Sequence, residues 1–175
     1  MEFEFSDEDV AFRKELGDFI ESELPWDWRT RSVDAEEPED ARLVKIFRKK
    51  LANKGWLTMA WPREYGGQAA PHIRQMVFNE EMAFHGVPAS EMGVRMVGPT
   101  LMLYGTEEQK RYFLPRIAQA DIIWAQGYSE PGSGSDLASV QTRAIEDGDD
   151  FVVTGSKIWN GAHAGADWMF MLVRT

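Results

Sequence analysis

Nine residues between an apolar run and a strand-like segment carry much of the chain's potential for binding an anion. The stretch YSEPGSGSD spans residues 128–136 and contains one proline, two glycines and three serines. Gly132 and Gly134 permit positive φ, so successive backbone N–H groups could point into one phosphate-binding concavity, and the serine hydroxyls would add donors. The same composition is typical of a surface turn. The stretch therefore predicts either a turn or a phosphate cradle.

A second candidate is the stretch GSKIWNG at residues 155–161. A Trp at a strand end can stack on a flat ring, and Gly161 would let a ligand approach the backbone closely. The alternative is that Trp159 belongs to the core and is followed by a turn. Neither stretch has the GxGxxG pattern that opens a dinucleotide-binding helix, or the GK[ST] of a Walker loop.

Composition excludes several other kinds of chemistry. Cysteine is absent, which removes disulfides, thiolate nucleophiles and Cys-metal sites, and the three histidines are scattered without metal-ligand spacing. A net charge of −10 gives no general attraction for nucleic acid. The acidic N-terminus resembles neither a signal nor a transit peptide, and no apolar run reaches membrane-spanning length. We therefore expect a cytoplasmic protein with no membrane span and no nucleic-acid partner.

The residues before these two stretches are predicted to be helical. Apolar spacing predicts five helices, over residues 6–24, 41–53, 71–85 and 88–104 and from 106 onward. Capping boxes at Ser6 and Thr106 indicate two of the starts, and Pro115 is expected to end or kink the fifth helix.

Two groups of apolar residues in this part admit a second interpretation. Met92, Met96 and Met102 could line an acyl-chain pocket, because Met adapts to varied partners, or they could form an ordinary helix core. The aromatic residues of 56–65 could form a ligand platform or a satellite cluster under a loop.

The last third changes from a helical to a β-strand pattern. Strands are expected over 122–128, 140–145, 151–159 and 166–173, with DGDD as a hairpin turn. The last strand ends two residues before the chain does, which would leave an aggregation-prone edge, so we expect its remaining partners elsewhere in this protein or in another chain. The predicted fold is α+β, with a helical domain over 1–120 and the first strands of a β-domain over 121–175.

Taken together, these stretches resemble the acyl-CoA dehydrogenase family of flavoenzymes. The resemblance rests on YSEPGSGSD, GDDFVVTGSKIW and ADWMFMLVRT at their observed spacing. Upstream segments agree: GW at 55–56, WPREYGG at 61–67, FNEEMA at 78–83 and VGPTLMLYGTEEQKRYFLPRIAQAD at 97–121. The resemblance covers nearly the whole chain and is greatest to bacterial members. It implies a helical N-terminal domain, a β-barrel-like middle domain and a C-terminal helical bundle that this chain lacks.

The resemblance also implies an FAD site between the middle and C-terminal domains. By position, the flavin-contacting residues would be Gln126, Tyr128, Ser129, Gly134, Ser135, Trp159, Asn160 and Gly161. Ser129 stands where many relatives have Thr, Gly134 and Ser135 fall at the pyrophosphate, and Ser135 also faces the acyl-CoA. Gly161 departs from the Ser or Thr of many relatives. The catalytic Glu of the family belongs to the absent bundle, so no catalytic residue is assigned here.

The implied reaction is α,β-dehydrogenation of an acyl-CoA thioester, of fatty-acid or steroid side-chain type, with electrons passing to an electron-transfer flavoprotein. Family members are usually tetramers, and a homo- or hetero-oligomer is expected. We expect the 175-residue chain to be inactive alone. Two alternatives stay open: a non-catalytic binding or assembly subunit that completes its flavin site with a partner chain, and a flavin oxidase or monooxygenase of the same fold.

Overall fold

The computed structural model describes residues 5–30, 37–87, 91–161 and 165–175. They form two compact units, Met1–Asp121 and Ile122–Thr175. The first unit contains the helices α1 (Asp7–Glu23), α2 (Pro38–Asn53), α3 (His72–Phe84), α4 (Gly98–Tyr104) and α5 (Glu107–Ala118). The second contains the strands β1 (Trp124–Gly127), β2 (Arg143–Asp147), β3 (Asp150–Thr154) and β4 (Trp168–Met171). The prediction of an α+β fold, with a helical part followed by a few strands, is confirmed.

Local capping fixes where α1 and α5 begin. The Ser6 hydroxyl oxygen accepts a hydrogen bond from the Asp9 backbone N–H at 3.2 Å. At α5, Thr106 and Gln109 form a complete capping box, with bonds of 3.2 and 2.9 Å in the two directions. Each bond satisfies a backbone donor that has no partner inside the helix. Both predicted starts are confirmed.

Pro115 does not end α5, which continues to Ala118. Proline removes one backbone donor, but only one turn of helix follows it. Leu114 and Ile117 lie on either side of Pro115 and are almost completely buried. Packing of these side chains holds the last turn in helical geometry.

The fourth predicted helix is interrupted rather than uniform. Residues Gly93–Val97 form a π-helical turn that leads directly into α4, and the start of the prediction, 88–90, lies outside the described residues. A π-turn widens the helix by one residue and commonly occurs near functional sites. Gly98 packs against the ring of Trp61, whose atoms a Cβ at that position would overlap.

The core of the first unit lies between α1, α2, α3 and the segment that follows α2. Trp56 makes edge-on contacts with Phe12 and Phe19, at centroid distances of 5.5 and 5.3 Å. Trp56 and Trp61 are both buried, so they act as core residues. Ile46 of α2 and Met76 of α3 are apolar but lie outside this core, and they are 42% and 39% exposed.

The second unit contains two small sheets. β2 and β3 are antiparallel and joined by Gly148 and Asp149, with Asp147 opposite Asp150. Gly148 has φ of 66° and Asp149 does not have positive φ, which is the pattern of a type II′ hairpin turn. The predicted hairpin is confirmed, although both of its strands are shorter than predicted. β1 and β4 are parallel neighbours, with Trp124 opposite Trp168.

Candidate functional site

The two stretches singled out in the sequence lie side by side in the second unit. The Gln126 backbone N–H donates to the Asn160 carbonyl oxygen at 3.1 Å, and the Ile158 N–H donates to the Ser129 carbonyl oxygen at 2.9 Å. These two bonds join the end of β1 and the residues after it to the segment that follows β3. Residues 126–130 and 157–160 therefore form one local site, although they are far apart in the sequence.

On its other side β1 is bordered by β4. Gln126 pairs with Phe170 and Gly127 with Met171 in the parallel register. A Cβ at Gly127 would lie 2.7 Å from the Cβ of Met171 and 2.8 Å from the Sδ of Met169, so only glycine fits between these side chains. This close packing fixes the strand that leads into the 128–136 loop.

A buried carboxylate lies at the junction of the two stretches. Glu130 accepts hydrogen bonds from the backbone N–H groups of Gln141 and Thr142, at 2.6 and 2.8 Å. It also accepts one from the Lys157 ammonium at 2.9 Å, and Lys157 donates in addition to the Tyr128 carbonyl oxygen at 3.1 Å. The two charged side chains are only 6% and 7% exposed. Glu130 thus connects the 128–136 loop, the start of β2 and the segment after β3.

These interactions lower the pKa of the Glu130 carboxyl to about 2. The contributions are, in order, the Thr142 side chain, the Gln141 backbone N–H and the Lys157 ammonium, while burial acts in the opposite direction. Among the described residues, the Thr142 hydroxyl oxygen has no hydrogen-bond partner of normal geometry. We therefore attribute the shift mainly to the two backbone donors and to Lys157. Glu130 is a fixed anion at neutral pH and is not a proton acceptor.

The tip of the 128–136 loop is a tight turn. Glu130 and Ser133 exchange backbone hydrogen bonds of 2.7 and 3.0 Å around Pro131 and Gly132. Gly132 and Gly134 permit positive φ, but neither adopts it. Ser133 is also not free to bind a ligand, because it is buried and its hydroxyl donates to the Asp136 carbonyl oxygen at 2.8 Å. A phosphate nest built on left-handed glycines is therefore not what this loop forms.

The glycines nevertheless leave room at the loop surface. A Cβ placed on Gly132 or Gly134 would meet no atom within 4 Å, and Gly134 and Ser135 are both exposed. An anion could therefore approach the backbone here without displacing a side chain of the described residues. The open surface, rather than unusual backbone angles, is the feature that suits phosphate binding.

Trp159 is the most unusual residue of the site. Its side chain is 84% exposed and its backbone is left-handed, with φ of 58°. A left-handed conformation costs a bulky residue about 1–2 kcal/mol, so it persists only where the surroundings impose it. Within the described residues, Trp159 is therefore not a core residue, and its large aromatic ring is exposed.

The remaining predicted residues lie around Trp159 and the end of β1. The Tyr128 ring contacts Phe170 at a centroid distance of 6.0 Å, and burial raises the pKa of its phenol. The side-chain oxygen of Asn160 is buried and has no hydrogen-bond partner among the described residues. Gly161 has φ of 72° and open space where a side chain would lie. An unpaired polar atom beside an exposed ring is a suitable contact for a planar heterocycle with hydrogen-bonding edges.

Lys157 is a residue that sequence reasoning missed. Its signal is that Lys157 is the single charged residue of the segment FVVTGSKIWN, which the sequence pattern predicts to be a strand with a terminal Trp. A lysine in such a segment needs a buried anion as partner. Glu130 is that partner, but it is distant in the chain, and the sequence alone does not connect the two residues.

Three carboxylates of the helical unit are engaged in other contacts. Glu80 and Glu81 both accept hydrogen bonds from Arg13, at 2.6 and 2.7 Å. Glu91 is buried and accepts from the Val94 backbone N–H at 3.0 Å. Their positions give no reason to assign a catalytic base in this chain.

Two cavities lie near residues discussed above. One, of about 430 Å³, is bordered by Glu130, Gly132, Gln141 and Gly155, but by none of the eight predicted flavin-contacting residues. The other, of about 820 Å³, lies in the helical unit and is lined by Trp56, Trp61 and Met102, among others, and not by Met92 or Met96. Of the three methionines considered for an acyl-chain pocket, Met102 therefore lines this cavity of the helical unit, and Met92 and Met96 do not.

Two further classes of site find no support in the described part of the chain. Within it, no helix has both the length and the apolar character needed to cross a bilayer. The same residues contain no group of three or more His, Asp or Glu side chains arranged to hold a metal ion.

The geometry and sequence of both units match one family. The model of the acyl-CoA dehydrogenase N-terminal domain matches residues 6–121, and that of the acyl-CoA dehydrogenase middle domain matches residues 125–175. The chain belongs to the acyl-CoA dehydrogenase family.

Individual relatives include both curated proteins and solved structures. The chain is 47% identical over 133 residues to acyl-CoA dehydrogenase FadE26 of Mycobacterium tuberculosis, a match that covers 74% of this chain and 33% of the relative. Among solved structures, the ChsE4–ChsE5 complex from Mycobacterium tuberculosis has a TM-score of 0.89 and 37% identity, covering all of this chain and 44% of the matched chain. The Tcur3481–Tcur3483 steroid ACAD has a TM-score of 0.89 and 42% identity, covering all of this chain and 45% of the other.

A more distant relative was solved with a flavin. It is a glutaryl-CoA dehydrogenase from Mycobacterium smegmatis in complex with FADH2, with a TM-score of 0.74 and 25% identity over 97% of this chain and 43% of that one. The chain spans less than half the length of each of these relatives.

Proposed function

We propose that the protein takes part in FAD-dependent α,β-dehydrogenation of an acyl-CoA thioester, and that this chain supplies one wall of the flavin site. The single observation that carries the proposal is the pairing of residues 126–130 with 157–160, which presents an exposed, left-handed Trp159. The family assignment and the FADH2-bound relative support the choice of cofactor.

The residues present fit an FAD. Trp159 offers an exposed ring face for packing on the isoalloxazine, and Gln126, Tyr128 and Asn160 lie on the adjoining segments. Ser129 and Ser135 offer hydroxyls, and Gly134 and Gly161 leave space for close approach. The pyrophosphate would lie at Gly134 and Ser135, and Ser135 would also contact the acyl-CoA. These groups bind and orient a ring and an anion, which is the protein's usual share of the work in cofactor chemistry.

When bound, FAD would accept the hydride from the β-carbon of the substrate. The proton from the α-carbon must go to a base, and we assign no residue of this chain to that role. The electrons would then pass to an electron-transfer flavoprotein. The residues described here would act on the reaction by fixing ring orientation and by excluding water from one ring face.

We further propose a substrate from the fatty-acyl or steroid side-chain class. The relative named as a steroid ACAD supports the steroid member of that class. We place the protein in the cytoplasm as a homo- or hetero-oligomer. The two-component names of the structural relatives, ChsE4–ChsE5 and Tcur3481–Tcur3483, support hetero-oligomeric assembly.

One observation favours a second candidate function, a non-catalytic subunit that completes a flavin site with a partner chain. Gly161 provides no side-chain hydroxyl at a place where many acyl-CoA dehydrogenases have one, and its surroundings are open. A backbone N–H remains available at that position, so flavin binding itself is compatible with both functions.

The test is a visible absorption spectrum of the full-length protein purified with added FAD, followed by a dye-coupled assay over acyl-CoAs of increasing size. We expect a protein-bound flavin band in the blue and turnover with at least one acyl-CoA. Bound flavin without turnover on any acyl-CoA would support the non-catalytic subunit. No flavin bound either by the protein or by its complex with a partner chain would reject both functions.

A matched pair of variants locates the flavin contact. Trp159→Ala removes the exposed ring of the second unit, whereas Trp26→Ala removes a ring that is 96% exposed in the helical unit. Since an aromatic pair contributes roughly 0.5–1.5 kcal/mol, we expect FAD affinity to fall about two- to tenfold in the first variant only. Equal affinities in both variants would remove Trp159 from the proposed site.

A further inference from the structure

The exposed ring of Trp159 sits on a short segment whose backbone is tied down on both sides. Before it, the Ile158 N–H bonds to the Ser129 carbonyl oxygen at 2.9 Å; after it, the Asn160 carbonyl oxygen accepts from Gln126 at 3.1 Å. These backbone bonds set the spacing between the two strand-like segments. They do not by themselves decide which way a side chain at 159 points, because a residue between two such bonds can adopt extended or left-handed geometry.

The side chain that differs from its surroundings is Lys157. Two residues before Trp159, it points inward and is 7% exposed, while Trp159 is 84% exposed. In a regular strand, residues two apart lie on the same face. Lys157 and Trp159 lie beyond the end of β3, and the left-handed φ of Trp159 is a further departure from strand geometry, which accords with their different burial.

The ammonium of Lys157 holds this arrangement from the inside. It donates to the Glu130 carboxylate at 2.9 Å and to the Tyr128 carbonyl oxygen at 3.1 Å. Glu130 is anchored independently by the backbone N–H groups of Gln141 and Thr142. If Lys157 turned outward, it would leave a buried carboxylate without its counter-charge, which is strongly unfavourable.

The buried Glu130–Lys157 ion pair is not expected to add much to the free energy of unfolding. Replacing both partners of a buried ion pair by apolar residues is often neutral or stabilising, so a pair of this kind better serves to select one conformation among several. The conformation selected here is the one in which Lys157 is inside and Trp159 is outside.

We propose that Glu130 and Lys157 are positioning residues for Trp159: their buried ion pair fixes the segment so that the Trp159 ring is presented in its left-handed, exposed geometry. The meaning of this geometry for catalysis rests on the proposed function, in which that ring packs on the flavin. The positioning itself is a property of this chain and can be measured without any cofactor.

The experiment is ¹⁹F NMR of the full-length protein labelled with 5-fluorotryptophan. The Trp159 resonance is identified by its loss in Trp159→Phe, and those of Trp124 and Trp168 in the same way. Trp124 and Trp168 stack on each other at 5.9 Å in the same unit and serve as internal controls for its folding. The variants are Lys157→Met, which keeps the length of the side chain without its charge, and Glu130→Gln, which keeps its shape.

We expect Lys157→Met to shift or split the Trp159 resonance while those of Trp124 and Trp168 stay in place. Glu130→Gln should move the Trp159 resonance in the same direction. The double variant should move it no further than Lys157→Met alone, because both changes act through one pair. Lys110→Met is the matched control: it removes an ion pair of 3.0 Å with Glu107 in the helical unit, and it should leave the Trp159 resonance unchanged.

Two results would overturn the inference. One is an unmoved Trp159 resonance in Lys157→Met. The other is a common shift of Trp124, Trp159 and Trp168, which would mean that the pair only maintains the folding of the unit. If Lys157→Met does not fold, the milder Glu130→Gln decides by the same criteria.

Titration of the wild-type protein with FAD separates this inference from the proposed function. A Trp159 resonance that does not shift on addition of FAD would reject the flavin contact, but it would not affect the positioning result. A resonance that responds to FAD but is unaffected by Lys157→Met would support the flavin contact and reject the positioning role.

Discussion

The Asn160 carbonyl oxygen accepts a hydrogen bond from the Gln126 backbone N–H at 3.1 Å, which joins the end of β1 to the residue after Trp159. These two residues are separated by the whole β2–β3 hairpin in the sequence. Their bond makes a single site out of two stretches that are individually compatible with ordinary turns.

Replacing Trp159 by glycine should stabilise the protein while weakening FAD binding. The ring is 84% exposed, so little packing is lost, and glycine adopts a φ of 58° without the steric cost that Trp bears. We expect the free energy of unfolding to rise by up to about 1 kcal/mol, measured by urea denaturation.

Trp168→Gly is the matched comparison for that substitution. Trp168 belongs to β4 and stacks on Trp124, so its loss should cost about 2 kcal/mol. Equal destabilisation by the two substitutions would contradict the view that Trp159 is strained and exposed for function.

Glu130 should make stability depend on pH in the acidic range. Its pKa is about 2 in the folded chain and near 4.5 in the unfolded chain. The unfolded state therefore takes up the proton first as pH falls, so the stabilisation is complete above about pH 4.5 and is lost between 4.5 and 2.

We expect the difference in melting temperature between wild type and Glu130→Gln to be largest at pH 5 to 7 and to shrink below about pH 4.5. Differential scanning calorimetry across this range measures it. Glu107→Gln breaks an exposed ion pair with Lys110 and should change the melting temperature little at any pH. A wild-type-to-Glu130→Gln difference that stays constant down to pH 3 would show that the carboxylate is not held as an anion.

Substitution by alanine should affect the free energy of unfolding very differently at two glycines near the site. A Cβ on Gly134 meets no atom within 4 Å, so Gly134→Ala should change the free energy of unfolding by less than about 0.5 kcal/mol. A Cβ on Gly155 would overlap the backbone and side chain of Thr142, so Gly155→Ala should cost roughly 1–3 kcal/mol.

The Gly134→Ala variant also tests where the anion binds, through its affinity for FAD. If a pyrophosphate approaches the loop surface at Gly134, the added methyl of Gly134→Ala should weaken FAD binding in a protein of unchanged stability. Isothermal titration calorimetry measures the FAD affinity of the variant. An unaltered affinity would show that the pyrophosphate does not bind at Gly134.

The capping box at Thr106 should be a measurable part of helical-unit stability. Thr106→Ala removes the acceptor for the Gln109 N–H and should cost about 1 kcal/mol in chemical denaturation. Glu37 stands at the same position of α2 but makes no side-chain capping bond. Glu37→Ala should therefore change stability by less than about 0.5 kcal/mol, and a comparable loss in both variants would mean that α5 does not depend on its capping box.

The helical unit shows which features are readable from local sequence. Ser6 and Thr106 marked helix starts because a capping bond involves only neighbouring residues. The DGDD turn marked the hairpin for the same reason. Pro115 does not end α5, because burial of its neighbours on the core side outweighs one missing hydrogen bond. Burial is not a local property, so the sequence around Pro115 does not reveal it.

The site shows the opposite case. The stretches 128–136 and 155–161 could be selected as candidates from residue types, and their joint spacing indicated the family. Of the two interpretations of the 128–136 loop, a tight turn forms and a nest of left-handed glycines does not, because backbone angles in a loop follow from the contacts at both of its ends. Lys157 was overlooked because its partner Glu130 is distant in the chain.

What the sequence determined by itself is therefore the division into helices followed by strands, the starts of α1 and α5, the hairpin turn and the two stretches able to contact a planar ring and an anion. These follow from local bonding and from periodicity, which a linear pattern contains. Only the tertiary structure decided that the two stretches pair, that Glu130 and Lys157 meet in a buried site, and that Trp159 points outward in a left-handed conformation. Each of these depends on the free energy of bringing distant residues together and removing their charges from water, which no single segment encodes.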